Sequence, residues 1–340
     1  MTAAVLPAAQ RALCLTLTRW EGASLRGLHA VSRSRMPTKT PAPPLPLPLR
    51  SYLPAFAFIL LMVAAAVLFQ AREIILPELA AMAVALWTWK DPQWMRHPEK
   101  IFLWPSLTAL LGFAINLTQL PVSAKLALVL IGMLGMFAVL RYSLAPALAT
   151  GFLPVVTNAT HWSFMLAILV TTAVLAIGVV WRRPRGASRD AAPPQWPLLG
   201  FYALISAAWM GVALALGHAQ LMVIPPLAVV VYESLHMKMY SARLLAKQVA
   251  VLSLSAGVGV LTAQWLESWL LIALLDLLLV HALLAIFRMR VPAVYAFPFL
   301  ALVLPAGALP VLPFATAFAG VLLLGAVLFW HRWRRVPGQR

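Results

Sequence analysis

From residue 53 onward the chain alternates long unbroken apolar runs with short basic or Pro/Gly-containing breaks. Neither the two-residue period of a half-buried strand nor the 3.6-residue period of a water-facing helix organises these runs. Blocks that are apolar on every side predict helices facing lipid or lying wholly inside a bundle. Twelve segments are expected, at approximately 53–70, 74–89, 101–119, 125–140, 143–157, 162–181, 196–217, 221–235, 248–264, 268–287, 291–305 and 312–330. Several fall short of the roughly 20 residues that cross about 30 Å of hydrocarbon. The shortest contain or adjoin proline: Pro77, Pro146 with Pro154, Pro225 with Pro226, and Pro292 with Pro298. Such segments survive at membrane depth only where protein or a water-filled cavity satisfies the freed backbone groups. The fold class expected is therefore all-α, a polytopic transmembrane helical bundle of about twelve segments.

The segments fall into two matching sets. Ile75-Leu76-Pro77-Glu78-Leu79-Ala80 resembles Val223-Ile224-Pro225-Pro226-Leu227-Ala228 at an offset of 148 residues, and both stretches run on to a lysine, Lys90 and Lys238. Arg96, Lys100, Ser106, Thr108 and Gly112 match Arg243, Lys247, Ser253, Ser255 and Gly259 at an offset of 147, and Pro146-Ala147 matches Pro292-Ala293 at 146. Each half ends in an aromatic-basic exit, Trp181-Arg182-Arg183 and Trp333-Arg334-Arg335. A slowly drifting offset with matched polar and Pro positions argues for an internal duplication rather than apolar bias. With six segments in each unit, both units enter from the same side. The repeat is then parallel, with a pseudo-two-fold axis along the membrane normal and a central path between the halves.

Composition agrees with the pattern: 63% of the 340 residues are apolar and 10% are charged, against about 25% charged in a typical soluble domain. The 26 Lys and Arg against 9 Asp and Glu suggest nucleic acid only until their positions are considered. They cluster at the ends of apolar segments rather than on a soluble face. With the amino terminus inside and twelve crossings, the inner loops 1–52, 90–100, 141–142, 182–195, 236–247, 288–290 and 331–340 hold 24 of those 26 cations, leaving Arg72 and Lys125 outside. This predicts cytoplasmic termini in a bacterial inner membrane. Residues 1–50 are expected to form a basic, Pro-rich, disordered cytoplasmic tail, with Met36 offering an alternative start of translation. Residues 51–185 form the first membrane repeat, 186–195 a cytoplasmic linker and 196–336 the second repeat. The single cysteine, Cys14, excludes an intrachain disulfide framework and a cysteine-rich metal site.

Thr108-Ala109-Leu110-Leu111-Gly112 and Ser255-Ala256-Gly257-Val258-Gly259, with Pro98 upstream and Pro225-Pro226-Leu227-Ala228 as an early Pro-small segment, resemble motifs of the His-Pro-Pro (HPP) family of bacterial and plastid membrane proteins. The resemblance covers most of 73–181 and 221–330, once per half. It implies a transporter-type membrane protein, with nitrite among the solutes linked to some members. The namesake triplet is not intact: His97-Pro98-Glu99 lacks the second proline, and Pro146 and Pro292 have no histidine beside them.

Ionisable groups within the segments are the candidates for chemistry, since burying a charge in lipid costs at least a few kcal/mol. Asp276 lies mid-segment with His281 five residues on, about 140° further round the helix. They could be a proton or cation relay on the central path, or an interhelical hydrogen-bonding pair. Glu78, after Pro77 and expected at the outer interface, could guard an entrance to the path or be a first-turn acid favoured by the helix dipole. Glu233 is expected to pair with Lys238. Pro77, Pro146, Pro225, Pro226 and Pro292 could present broken-helix backbone to a solute or mark packing kinks. Ser106, Thr108, Gly112, Ser253, Ser255 and Gly259 form small faces suited to close helix packing. Trp87, Trp89, Trp94 and Trp104 suggest an interfacial aromatic belt. Asn116 and Gln119 are polar near an outer end.

No phosphate-cradling Gly-rich loop and no metal-ligand spacing is present, so neither enzyme activity, cofactor nor metal is expected. The leading expectation is a permease moving a small solute, an anion such as nitrite among them, between two repeats. A membrane-embedded enzyme acting on a lipid or isoprenoid, with Asp276 and His281 as acid and base, is the rival. A non-catalytic membrane subunit is the third reading. The partners expected are the lipid bilayer and a small solute, not nucleic acid, with homo-oligomerisation left open.

Overall fold

The structure, a computed structural model, describes residues 47–91, 95, 97–140, 145–182 and 195–334. The expectations for residues 1–46, Trp94, Arg96 and the linker up to residue 194 lie outside the described residues. Those described form an all-helical bundle of twelve α-helices. The first six are α1 (Leu53–Leu68), α2 (Pro77–Ala83, continuing as a π-helical turn Val84–Thr88), α3 (Pro98–Asn116), α4 (Val122–Leu140), α5 (Ala145–Val156) and α6 (Trp162–Arg182). The second six are α7 (Trp196–Ala215), α8 (Pro225–His236), α9 (Ala242–Trp265), α10 (Trp269–Phe287), α11 (Phe297–Val303, entered through a 3₁₀ turn Pro292–Ala296) and α12 (Leu312–Trp333). Among the described residues seven apolar helical stretches are long enough to cross a membrane, those of α4, α6, α7, α9, α10 and α12 and the stretch Ala219–His236 that contains α8. The protein is a multi-pass membrane protein.

Local chemistry sets the helix ends. Proline stands in the first turn of α1, α2, α3, α7, α8, α11 and α12, where its missing N–H would have had no intrahelical partner. The α9 helix opens on Ser241, whose hydroxyl accepts from the Leu244 amide at 3.2 Å. It therefore begins a turn and a half before its apolar run, and the charged first turns carrying Arg243 and Lys247 belong to the helix. The α1 and α7 helices both end at left-handed residues, Gln70 (φ 51°) and Gly217 (φ 78°), 147 positions apart.

The halves share one packing pattern. Helix α3 packs on α5 and α6 as α9 packs on α11 and α12. Across the halves, α2 meets the turn that opens α11 as α8 meets α5, and α1 lies on α10 as α7 lies on α4. Each contact becomes its counterpart when six positions are added to the helix number, as a two-fold relation between parallel repeats requires.

Burial sorts the helices into two shells. Every residue of α2 and α5 is buried, and so are nearly all those of α8 and α11. The longer helices surround them and expose large apolar side chains, for example Leu61, Ile131, Ile177, Leu204, Leu261 and Phe314. A water-facing protein rarely leaves so much apolar surface uncovered, whereas a lipid-facing one has nothing to gain by hiding it. The exposed tryptophans mark helix ends: Trp162 and Trp181 bracket α6, Trp196 opens α7, Trp265 ends α9 and Trp333 ends α12. They form the aromatic belt. Trp104 does not belong to it, because it is buried inside α3 with its ring edge-on to Phe137 at 5.7 Å.

Candidate functional site

The four short helices are second and fifth in each half, and their openings meet. Glu78 and Ala81 of α2, Pro226 and Val229 of α8, Pro146 of α5, and Ala293 and Ala296 of the turn into α11 line one small void, about the size of a single water. Glu78 and Pro226 are repeat mates, as are Ala81 and Val229, each pair 148 positions apart. The void therefore lies where the symmetry puts the central axis.

Its chemistry is uneven. Six of the seven lining residues are Ala, Val or Pro, and the seventh is Glu78, 2% exposed. Neither carboxyl oxygen of Glu78 has a hydrogen-bond partner from another residue among those described. A buried polar group in this condition is costly unless something else meets it. Helices α5 and α8, twelve residues each, turn their first residues, and so the positive ends of their dipoles, toward the same space. Proline at 146, 225 and 226 removes several of the amide donors a helix opening normally offers. The walls are thus largely hydrocarbon in a positive field. Of the path candidates, Glu78, Pro146 and Pro226 line the void, and Pro77, Pro225 and Pro292 each precede a lining residue or its neighbour in the chain.

Asp276 and His281 lie elsewhere. Asp276 on α10 is wholly buried, and its Oδ1 accepts a 2.8 Å hydrogen bond from the Thr262 hydroxyl on α9. This is an interhelical bond within one half. His281 sits in an aromatic cluster, 4.5 Å from the Tyr52 ring centre and 3.5 Å by Nδ1 from the Tyr295 hydroxyl. Trp89 Nε1 donates to the Tyr52 hydroxyl at 2.9 Å, tying the end of α2 to the start of α1. The rival enzyme needs Asp276 and His281 to share a cleft, and here different neighbours hold them. Glu233 is half-buried, in the last turn of α8. Thr262→Val should cost about 0.6 kcal/mol and no more than about 1.7, the range measured for hydrogen bonds between membrane helices. Reversible unfolding in mixed micelles would measure it, and a loss well above that range would mean that Asp276 does more than join α9 to α10.

The small faces let helices approach closely. A Cβ on Gly112 of α3 would overlap the Gly151 carbonyl oxygen of α5, and one on Gly259 of α9 would overlap the backbone of Pro298 in α11. Both pairs are 147 apart. One turn before each glycine, a hydroxyl bonds across to α5 or to the turn into α11. Thr108 Oγ1 lies 3.0 Å from Thr150 Oγ1, and Ser255 donates to the Val294 carbonyl at 2.8 Å. Ser106 and Ser253 bond back to their own helices, at Phe102 and Val249. These contacts hold α5 and α11, and so two walls of the void, against α3 and α9.

Other polar contacts were not foreseen. Glu73, between α1 and α2, caps the start of α6: its carboxylate accepts from the Thr160 and His161 amides and the Ser163 hydroxyl at 3.1–3.3 Å. Lys125 donates to the Asn116 carbonyl at 2.7 Å, and the Asn116 amide donates to Ala159 at 2.8 Å; Gln119 is exposed. In the loop between α8 and α9, Tyr240 is buried, which pushes its phenol pKa up. The phenol donates to Gln248 Oε1 at 2.6 Å, and Gln248 in turn donates to Ser234 at 3.3 Å. A second cavity between α4, α5, α7 and α8 is lined chiefly by apolar residues such as Leu130, Phe152, Met222 and Val231, with Trp209 turned to the Leu221 carbonyl at 3.2 Å. Among the described residues no cluster of three or more His, Cys, Asp or Glu is placed to hold a metal. Set against protein-family models, curated proteins and solved structures, the chain finds no match.

Proposed function

We propose that this protein is a carrier for a small solute, moved along the path between its two six-helix repeats, and that the solute is a small anion. The observation that carries the reading is the central void, where the first turns of α2, α5 and α8 meet the Pro-led turn into α11 on the symmetry axis. Discontinuous helices with their positive ends at the midplane suit an anionic group. The cations on the expected inner loops would raise the local concentration of such a solute. The resemblance to the HPP family makes nitrite the first solute to try. The membrane assigned is the bacterial inner membrane, with both termini in the cytoplasm.

Uptake into proteoliposomes across a panel of small anions tests the carrier. Nitrite or a congener is expected to accumulate down an imposed gradient, and no uptake of any member under any gradient removes the reading. Topology is tested separately. A cysteine placed near Arg189 in a Cys14→Ser background should react only with a thiol reagent that crosses the inner membrane. Labelling by an impermeant reagent in intact cells would reverse the orientation.

A further inference from the structure

The inference rests on the carrier reading and concerns Glu78. Glu78 lines the void that the anion would need, and among the described residues no other ionisable side chain lines that void. The helices packed on α2 supply none nearby. Helices α1, α5 and α11 contain no ionisable residue, and α6 has only Arg182, at its last position. On α8, Tyr232, Glu233 and His236 lie in the last turns, away from the opening at Pro226. In the turn before α11, Tyr295 is engaged with Tyr52 and His281. Glu78 therefore faces the positive ends of α5 and α8 as the sole ionisable group among the described residues. An ionised carboxylate head is itself a bent three-atom oxyanion, close in size and shape to nitrite.

We propose that the ionised Glu78 carboxylate is a tethered occupant of the anion site, displaced when it takes up a proton, so that one proton travels with each anion. Two negative charges cannot both remain ionised in one dry site of this size. The proton comes from water on the side where the anion enters, binds a Glu78 oxygen, and is returned to water on the other side as the anion leaves. No bond other than that O–H forms or breaks. The repeat mate of Glu78 is Pro226, so among the described residues the site holds a single carrier of the proton. A Glu78 that served only as a first-turn acid for α2 would have no reason to exchange protons when an anion binds.

The test uses the purified full-length chain in detergent, weakly buffered with a pH-indicator dye and titrated with sodium nitrite from mildly acidic to strongly alkaline pH. Wild type is expected to take up roughly one proton per nitrite bound once Glu78 starts out ionised, and its affinity should fall about tenfold per pH unit in that range. Glu78→Gln and Glu78→Ala should bind nitrite with no proton uptake and a flat pH dependence; the alanine variant also leaves room at the site if the glutamine packs poorly. Nitrite binding by wild type with no proton uptake at any pH, or proton uptake that persists in both variants, overturns the coupling and leaves the carrier standing. Failure of wild type either to bind or to carry nitrite overturns the nitrite carrier and the coupling together.

Discussion

Replacing Gly259 with alanine should destabilise the protein by about 3 kcal/mol or more, whereas replacing Gly257, two residues away on α9, should stabilise it slightly. Alanine is worth up to about 1 kcal/mol over glycine inside a helix. A Cβ at Gly257 would meet nothing within 4 Å, so that gain is available there. At Gly259 the same Cβ would fall on the backbone of Pro298, with the carbonyl oxygen 2.7 Å away. Backbone cannot swing aside as a flexible side chain can, so α9 and α11 must separate. Overpacking costs about 1–3 kcal/mol where side chains can adjust, and here the cost lies at or beyond the upper end. Gly112→Ala should behave alike, because its Cβ would strike the Gly151 carbonyl. Thermal unfolding followed by size-exclusion chromatography in detergent would check this. Equal melting temperatures for Gly257→Ala and Gly259→Ala would mean that the helices are not in such close contact.

Ala293→Leu is expected to slow uptake of the transported anion roughly 5- to 150-fold while the protein still folds. Ala293 is 2% exposed and lines the central void with Glu78. Three more carbons leave no room for a solute in a space about the size of one water. A penalty of about 1–3 kcal/mol at the narrowest point corresponds to that loss of rate. The lipid-facing Leu261→Ala, at a position 57% exposed, should leave uptake unchanged. Initial rates in proteoliposomes, normalised to monodisperse protein, decide the matter. Undiminished uptake by Ala293→Leu would move the path away from the axis.

Much of this architecture was legible in the sequence. The twelve apolar runs became twelve helices, with α5 at Ala145–Val156 against an expected 143–157 and α10 at Trp269–Phe287 against 268–287. The starts of α3 and α9 were read late because Pro98-Glu99-Lys100 and Ala242-Arg243 are helical but polar, and hydropathy sees only where lipid begins. The spacing that marked the repeat also located two close helix crossings, since glycine at 112 and 259 is what lets α3 and α9 approach their neighbours. The centre was harder to read. Asp276, flanked by leucines, drew attention as the most conspicuous intramembrane acid, yet Thr262 accounts for one of its oxygens. Glu78 was open to two readings, an acid guarding an entrance or an ordinary first-turn acid, and no periodicity could show that three other helix openings, 68 to 218 residues further on, would surround it. Trp104 was misread because a tryptophan beside a basic loop can sit at a headgroup or point inward at Phe137, and only packing distinguishes the two.

The mismatch of Glu78 with Pro226 also bears on how such a molecule could have arisen. Had the two six-helix units been separate but identical chains pairing as a homodimer, the axis would have carried either two carboxylates face to face or none. Two would repel each other across a space too small for water to shield them, and none would leave nothing to bind a proton. Joining the copies in one polypeptide freed each to mutate alone, and a lone acid on an axis of symmetry is an arrangement that two identical chains cannot hold.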